Sequence, residues 1–314
     1  MTSSTKLSAF AKFAWFALAY NIVVILWGVF LRATHSGDGC GTHWLTCHGE
    51  AIPSAPELKT LIEFSHRVTT ALAGLVVLIL AGWSLKKSER GDRVRMFALL
   101  SLFFILVEGA IGGGLVLTGN TAANWTPTRP YWTAGHLINT FILIGLLALT
   151  AWSASNRGWR FRRPTPIEAA VVVVGLLAII FVGVTGSMAS LAHMLFPSVS
   201  IAEGIAKDFD PNSHWLLRLR IAHPISSILA VVLLFFLADW IKRRVADDAR
   251  TAFWSRNVSV LIFVQLAFGA ATLLMLAPIV MQLGHLLLAD LIWLSFVLLS
   301  MSFLTSTTQA HPNR

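Results

Sequence analysis

The sequence predicts an all-α polytopic membrane protein: eight transmembrane helices forming two tandem, pseudo-symmetric four-helix bundles, residues 1–155 and 156–314. Three observations carry that expectation. Of the 314 residues 56% are hydrophobic and 12% charged, against about 25% charged in ordinary soluble domains, so the chain has too little polar surface to cover itself in water. Eight apolar stretches are each long enough to cross a hydrocarbon core of about 30 Å at about 1.5 Å per residue. Short motifs also recur in the same order in the two halves.

The first stretch, near 12–32, is too long for a simple signal-peptide core and no small-residue cleavage site follows it, so it is expected to be retained. The others lie near 60–84, 96–118, 131–153, 166–190, 217–241, 253–276 and 281–304. Three connections are basic: Lys86, Lys87, Arg90, Arg93 and Arg95; then Arg157, Arg160, Arg162 and Arg163; then Lys242, Arg243, Arg244, Arg250 and Arg256. They follow spans two, four and six and therefore share one side. The intervening connections are poor in Lys and Arg. The positive-inside bias puts both termini and the basic loops in the cytoplasm of a cell-membrane protein. The net charge of +9 is thus a topology signal, and no nucleic-acid partner is expected.

The repeat is weak but in register. Glu63-Phe-Ser-His66 in span two corresponds to Arg220-Ile-Ala-His223 in span six, and a Trp follows seventeen residues later in each, at Trp83 and Trp240. Gly135-His136-Leu137 opens span four and Gly284-His285-Leu286 opens span eight. Glu108 precedes Gly112 by four in span three, as Gln265 precedes Gly269 in span seven. Matches in this order argue for a duplicated four-helix unit with both copies in one orientation.

Of the ten histidines, His35, His43, His48, His193 and His214 fall in outer loops and His311 in the cytoplasmic tail, where a solvated surface residue is the default. His66, His136, His223 and His285 instead lie inside even-numbered spans, at similar depth, roughly 7–10 Å from the outer end. A lone intramembrane histidine is usually a helix–helix hydrogen-bond partner. Four at one depth, paired by the repeat, suit haem, because a four-helix bundle can present two imidazoles from facing helices to opposite faces of a flat, apolar macrocycle. Arg67, Arg218 and Arg220 at the outer ends of spans two and six are placed either to pair with propionates or to snorkel to the interface.

Glu63 precedes His66 by three residues and so shares its helix face about one turn nearer the surface. An intramembrane carboxylate is costly to hold and usually marks function. Its counterpart is Arg220, so the halves are unequal, which suggests one catalytic pocket and one electron-transfer cofactor. Glu108 and Asp290 are further intramembrane acids to which the pattern assigns no role. Cys40 and Cys47, both in the first outer loop, read as a disulfide in an oxidising compartment; a zinc site with His43 and His48 is the alternative, although the spacing fits no familiar zinc pattern.

These residues resemble haem A synthase. The likeness is carried by Ser36-Gly-Asp-Gly-Cys40 with Trp44 and Cys47-His-Gly49, by Glu63-Phe-Ser-His66-Arg67, by the Gly135-His136 and Gly284-His285 openings, and by Arg220-Ile-Ala-His223. Val184-Thr-Gly-Ser-Met-Ala-Ser, Leu195-Phe-Pro197, Ala202-Glu-Gly204 and Asp208-Phe-Asp210 are similar to that family's third outer loop. The resemblance runs from about residue 25 to 300. It implies an oxidoreductase that converts haem O to haem A by oxidising a ring methyl group to a formyl group, through successive hydroxylations and loss of water. It further implies that His223 and His285 ligate the iron of a haem B cofactor. His66 and His136 would then hold the substrate haem, Glu63 would be the catalytic acid or base, and Cys40 and Cys47 would be the loop pair. Some members carry a second cysteine pair in the third outer loop; this chain has none.

Membrane lipid and haem O are the implied contacts, and a haem O synthase, an electron acceptor and a homo-oligomer are compatible partners. Two other classes stand beside this reading. A dihaem b-type cytochrome moving electrons between quinol and an outer acceptor explains four histidines but leaves Glu63 without a task. A transporter predicts helices broken at mid-span and no bound haem.

Overall fold

The computed structural model describes residues 7–122, 124–156, 159–245 and 248–305; Arg157 and His311 lie outside them. Among the described residues ten helices follow one another: α1 Ala9–Ala33, α2 Leu58–Lys87, α3 Arg93–Leu117, α4 Arg129–Ser155, α5 Pro166–Leu195, α6 Ile201–Phe209, α7 Trp215–Leu219, α8 Ala222–Arg244, α9 Ala249–Leu274 and α10 Ile279–Thr305. Taking α7 and α8 as one span, eight are long and apolar enough to cross a membrane. The protein is therefore an all-α, multi-pass membrane protein, with spans close to those expected and generally a few residues longer.

Helix starts follow ordinary capping chemistry. Ser8, Asp92 and Asp248 each accept a hydrogen bond from a first-turn N–H. Thr165 and Glu168 form a reciprocal capping box at α5. Glu168 also pairs with Arg162 at 2.6 Å and Arg244 at 3.3 Å, which ties two basic connections to one buried carboxylate. A lone charge there would be costly, and two guanidiniums offset it.

Two departures from the expected spans have physical causes. The sixth span is two segments, with a turn at Arg220 and Ile221 between α7 and α8. Pro224 has no N–H to give to the carbonyl of Arg220, so the ladder is interrupted there. His223 lies in the first turn of the second segment, its N–H reaching Arg220 O at 3.3 Å. In α2 the residue after His66 is Arg67, and the helix runs through unbroken. The third outer loop also contains an unanticipated short helix, α6, capped by Ser200. Asp208 on α6 pairs with Arg220 at 2.8 Å and pins that helix to the break.

Neighbour relations recur. α1 touches α2 and α4, and α3 touches α2 and α4; likewise α5 touches α8 and α10, and α9 touches α8 and α10. The helices at the centre are α4 and α10, which touch each other and are far more buried than the rest. Trp293 of α10 stacks on Phe141 of α4 with ring centres 5.2 Å apart. Its indole N–H donates to the Phe141 carbonyl at 2.7 Å, so the polar tip of a large apolar side chain is satisfied within the core. Most other helices turn wide apolar faces outward, as lipid contact requires. His136 and His285 thus sit on the rigid centre, while His66 and His223 sit on peripheral helices.

Candidate functional site: two histidine pairs and a buried acid

All four histidines lie near the helix ends opposite the basic connections. His223 and His285 face each other with ring centres 6.1 Å apart and planes at 87°. Two imidazoles on opposite sides of one metal, each nitrogen about 2 Å from it, have ring centres about 6 Å apart. This pair therefore fits a hexacoordinate haem iron. Nδ1 of His223 lies 3.3 Å from the Thr185 hydroxyl, which leaves Nε2 as the nitrogen open to a metal and fixes the ring from behind. His66 and His136 lie within electrostatic reach of one another in the other half.

Glycines make room for the imidazoles. A methyl group on Gly186 of α5 would lie 2.9 Å from Cε1 of His223, and one on Gly28 of α1 would lie 3.0 Å from Cε1 of His66. A side chain at Gly186 would force the His223 ring to shift, and one at Gly28 would press on the His66 ring. Sequence reasoning missed them; the signal was present as a glycine at similar depth in the first helix of each half.

Glu63 is 3% exposed and is held by the outer loop rather than by His66. Its Oε2 accepts from the Cys40 backbone N–H at 2.8 Å, and its Oε1 pairs with Arg67. Arg67 also donates to the carbonyls of His43, Trp44 and Thr46. Cys40 and Cys47 form a disulfide, which rules out a thiolate zinc site; among the described residues no cluster of three acids, histidines or cysteines is placed to hold a metal ion. His48 and Thr60 both bond to the Gly39 carbonyl, and Trp44 packs against Gly113 of α3. The loop is thereby fastened to α2 and α3, over the end of the bundle that contains His66.

The three arginines singled out from sequence have different surroundings. Arg67 and Arg220 are occupied by Glu63 and Asp208, and Arg218 is exposed. Two other guanidiniums, Arg32 and Arg129, lie at the same end of the molecule with no acidic side chain in ion-pair range among the described residues. Arg32 reaches across to the Ser190 hydroxyl at 2.8 Å. Arg129 is buried and binds loop carbonyls, including Ala122 O at 2.6 Å. Nothing in the sequence distinguishes these two from snorkelling arginines, because their lack of acidic partners is a tertiary fact. A cleft of about 390 Å³ is lined by Ile111, Thr128, Tyr131, Trp132 and Gly135, the residue before His136 in α4.

The family model for the cytochrome oxidase assembly proteins COX15-CtaA matches residues 11–297. The chain belongs to that family. The expected resemblance to haem A synthase agrees with relatives of that name. A heme A synthase of Halalkalibacterium halodurans is 26% identical over 87% of this chain and 89% of its own length. Another, of Exiguobacterium sibiricum, is 33% identical over 55% of this chain and 54% of its own. A Thermus thermophilus protein named protoheme IX farnesyltransferase is 41% identical over 95% of this chain. The chain spans about half the length of that relative, 49%.

Proposed function

We propose that this family member is a haem A synthase, an oxidoreductase that oxidises a ring methyl of haem O to a formyl group. The observation that carries the reading is the inequality of the two histidine pairs. The His223–His285 pair has the spacing of a bis-histidine haem site and, among the described residues, no acid paired with it. The His66–His136 pair lies one helical turn from a buried, loop-held Glu63.

In this reading residues 156–314 bind haem B through His223 and His285, and the haem supplies one-electron transfer. Residues 1–155 bind haem O through His66 and His136. Methyl to formyl is a four-electron oxidation, so the electrons must leave to an acceptor outside this chain; Glu63 would take up protons released at the methyl carbon, and water is lost from the diol. Arg67 and the Cys40 N–H hold Glu63 in place. Arg32 and Arg129 are the guanidiniums available to propionates. The basic connections and both termini are assigned to the cytoplasm.

The farnesyltransferase name of the Thermus relative is assigned to the half of that protein which this chain does not cover. A chain that joins both activities would make haem O synthase a natural partner here. The test is haem extraction and chromatography from cells expressing this chain together with a haem O synthase. Haem A should appear only when both are present. Haem O alone, with the protein intact in the membrane, would overturn the assignment. Farnesylation of haem B by this chain alone would move it to the other enzyme class.

A further inference from the structure

Glu108 of α3 belongs to none of the roles above, yet it is built into a cluster. Its Oε1 lies 3.4 Å from Nδ1 of His136. Asn139 Nδ2 donates to Oε2 at 2.6 Å and to the Phe104 carbonyl at 2.9 Å. The Thr140 hydroxyl lies between Oε1 of Glu108 and the His136 carbonyl and donates to one of them. One turn of α4 thus presents the imidazole and two donors to a single carboxylate on α3.

The second half replaces every member of this cluster but the histidine. Gln265 stands for Glu108, Leu288 for Asn139 and Ala289 for Thr140. The Gln265 side-chain nitrogen lies 3.4 Å from Nε2 of His285 and donates to the His285 carbonyl at 3.0 Å. One histidine meets a charged acceptor and the other an uncharged amide. Loss of the acid together with both of its donors is what two different requirements on the two histidines would produce.

We infer that Glu108 is a positioning residue that holds His136 with Nδ1–H toward the carboxylate and Nε2 toward the substrate iron, making it the stronger electron donor of the two α4 and α10 ligands. A negative group behind a ligating imidazole raises its basicity and fixes its tautomer. A more basic axial ligand favours ferric over ferrous iron. The iron whose own macrocycle is oxidised is therefore held at lower potential than the electron-transfer iron at His285. The inference rests on the proposed haem sites.

The experiment is an exchange of the two residues in the purified full-length protein carrying haem, read by redox titration and by low-spin ferric EPR. Glu108→Gln should raise the midpoint potential of the haem at His66–His136, shift its EPR signal and weaken its retention about 10–100-fold, the usual effect of losing such a partner. Gln265→Glu should lower the potential of the haem at His223–His285. Asn139→Leu with Thr140→Ala, which keeps the acid but removes its donors, should shift the potential and EPR signal of the first haem and leave the second unchanged, and it carries the test if either exchange fails to insert. Haem bound at full stoichiometry with unchanged potentials and spectra in these variants would overturn the inference. Absence of haem from the unmodified protein would instead overturn the proposed sites.

Discussion

The backbone N–H of Cys40 donates to the carboxylate of Glu63 at 2.8 Å, so a loop closed by a disulfide directly holds the acid proposed for catalysis. Arg67 completes the arrangement from the other side, bonded both to Glu63 and to three carbonyls of the same loop. The loop and the acid form one unit.

Removing the disulfide should therefore affect catalysis as well as stability. Cys40→Ser with Cys47→Ser opens a loop of sequence separation 7, which costs about 2.5 kcal/mol by the chain-entropy estimate. Eight helices of apolar packing should keep the bundle inserted, while haem A production falls. Protein isolated without reductant should show no alkylatable thiols by mass spectrometry until it is reduced. Two free thiols in most molecules, or unchanged haem A production in the double variant, would separate the loop from the acid.

Glu63→Gln preserves size and an acceptor for the Cys40 N–H but places an amide beside Arg67 and removes the exchangeable proton. The protein should insert and retain haem B with a normal spectrum. Haem A production should drop about 10²–10⁴-fold, the range that general acid–base groups contribute, with haem O or a hydroxylated product accumulating. Chromatography of extracted haem checks this, and near-normal haem A would leave Glu63 a structural role only.

The two pairs of histidines should separate in a binding assay. His223→Ala or His285→Ala should abolish haem B, measured as pyridine haemochrome on purified protein. His66→Ala or His136→Ala should leave most of it. Equal losses from all four would contradict the division of labour between the halves.

Gly186 offers a test that touches no ligand. A side chain there must displace the His223 ring, since even a methyl group would lie 2.9 Å from it. Gly186→Val should lower haem B content and broaden the low-spin spectrum. Gly82→Val, at a position with nothing within 4 Å, should leave both unchanged. Equal behaviour of the two variants would remove the steric argument.

Much of this architecture was legible in the sequence, because an apolar run of about twenty residues has few alternatives in lipid and the basic connections mark every second turn. The four histidines were legible for the same reason: their depth is fixed by position along a helix. What pairs with what was not. Glu63 shares a helix face with His66, yet its partners come from residues 40 and 67, one of them a backbone N–H that no side-chain pattern records. Glu108 had no assignable role until α3 and α4 were packed together, since Asn139 and Thr140 are ordinary polar residues on their own. Pro224 carried a visible signal, the missing N–H, but locating the break at Arg220 needed the ladder itself. Asp290, fully buried with neither oxygen hydrogen-bonded among the described residues, has no physical account from either source.

The placement of the four histidines on central and peripheral helices also bears on access to the proposed haem sites. A door needs a post that stays still. α4 and α10 are interlocked through Phe141 and Trp293, and prising them apart would dismantle the core of the whole molecule. α2 leans mainly on α1 and α3 and has an otherwise lipid-facing flank, so of the helices carrying His66 and His136 it is the one less tied to the core. Its outer end is latched by Arg67 and Glu63 to the disulfide loop, which makes that loop the bolt on the side proposed for the substrate. Just before α8 the position of Glu63 is taken by Arg220, which is latched instead to Asp208 of α6, so each of these peripheral helices is bolted at its outer end to its own loop.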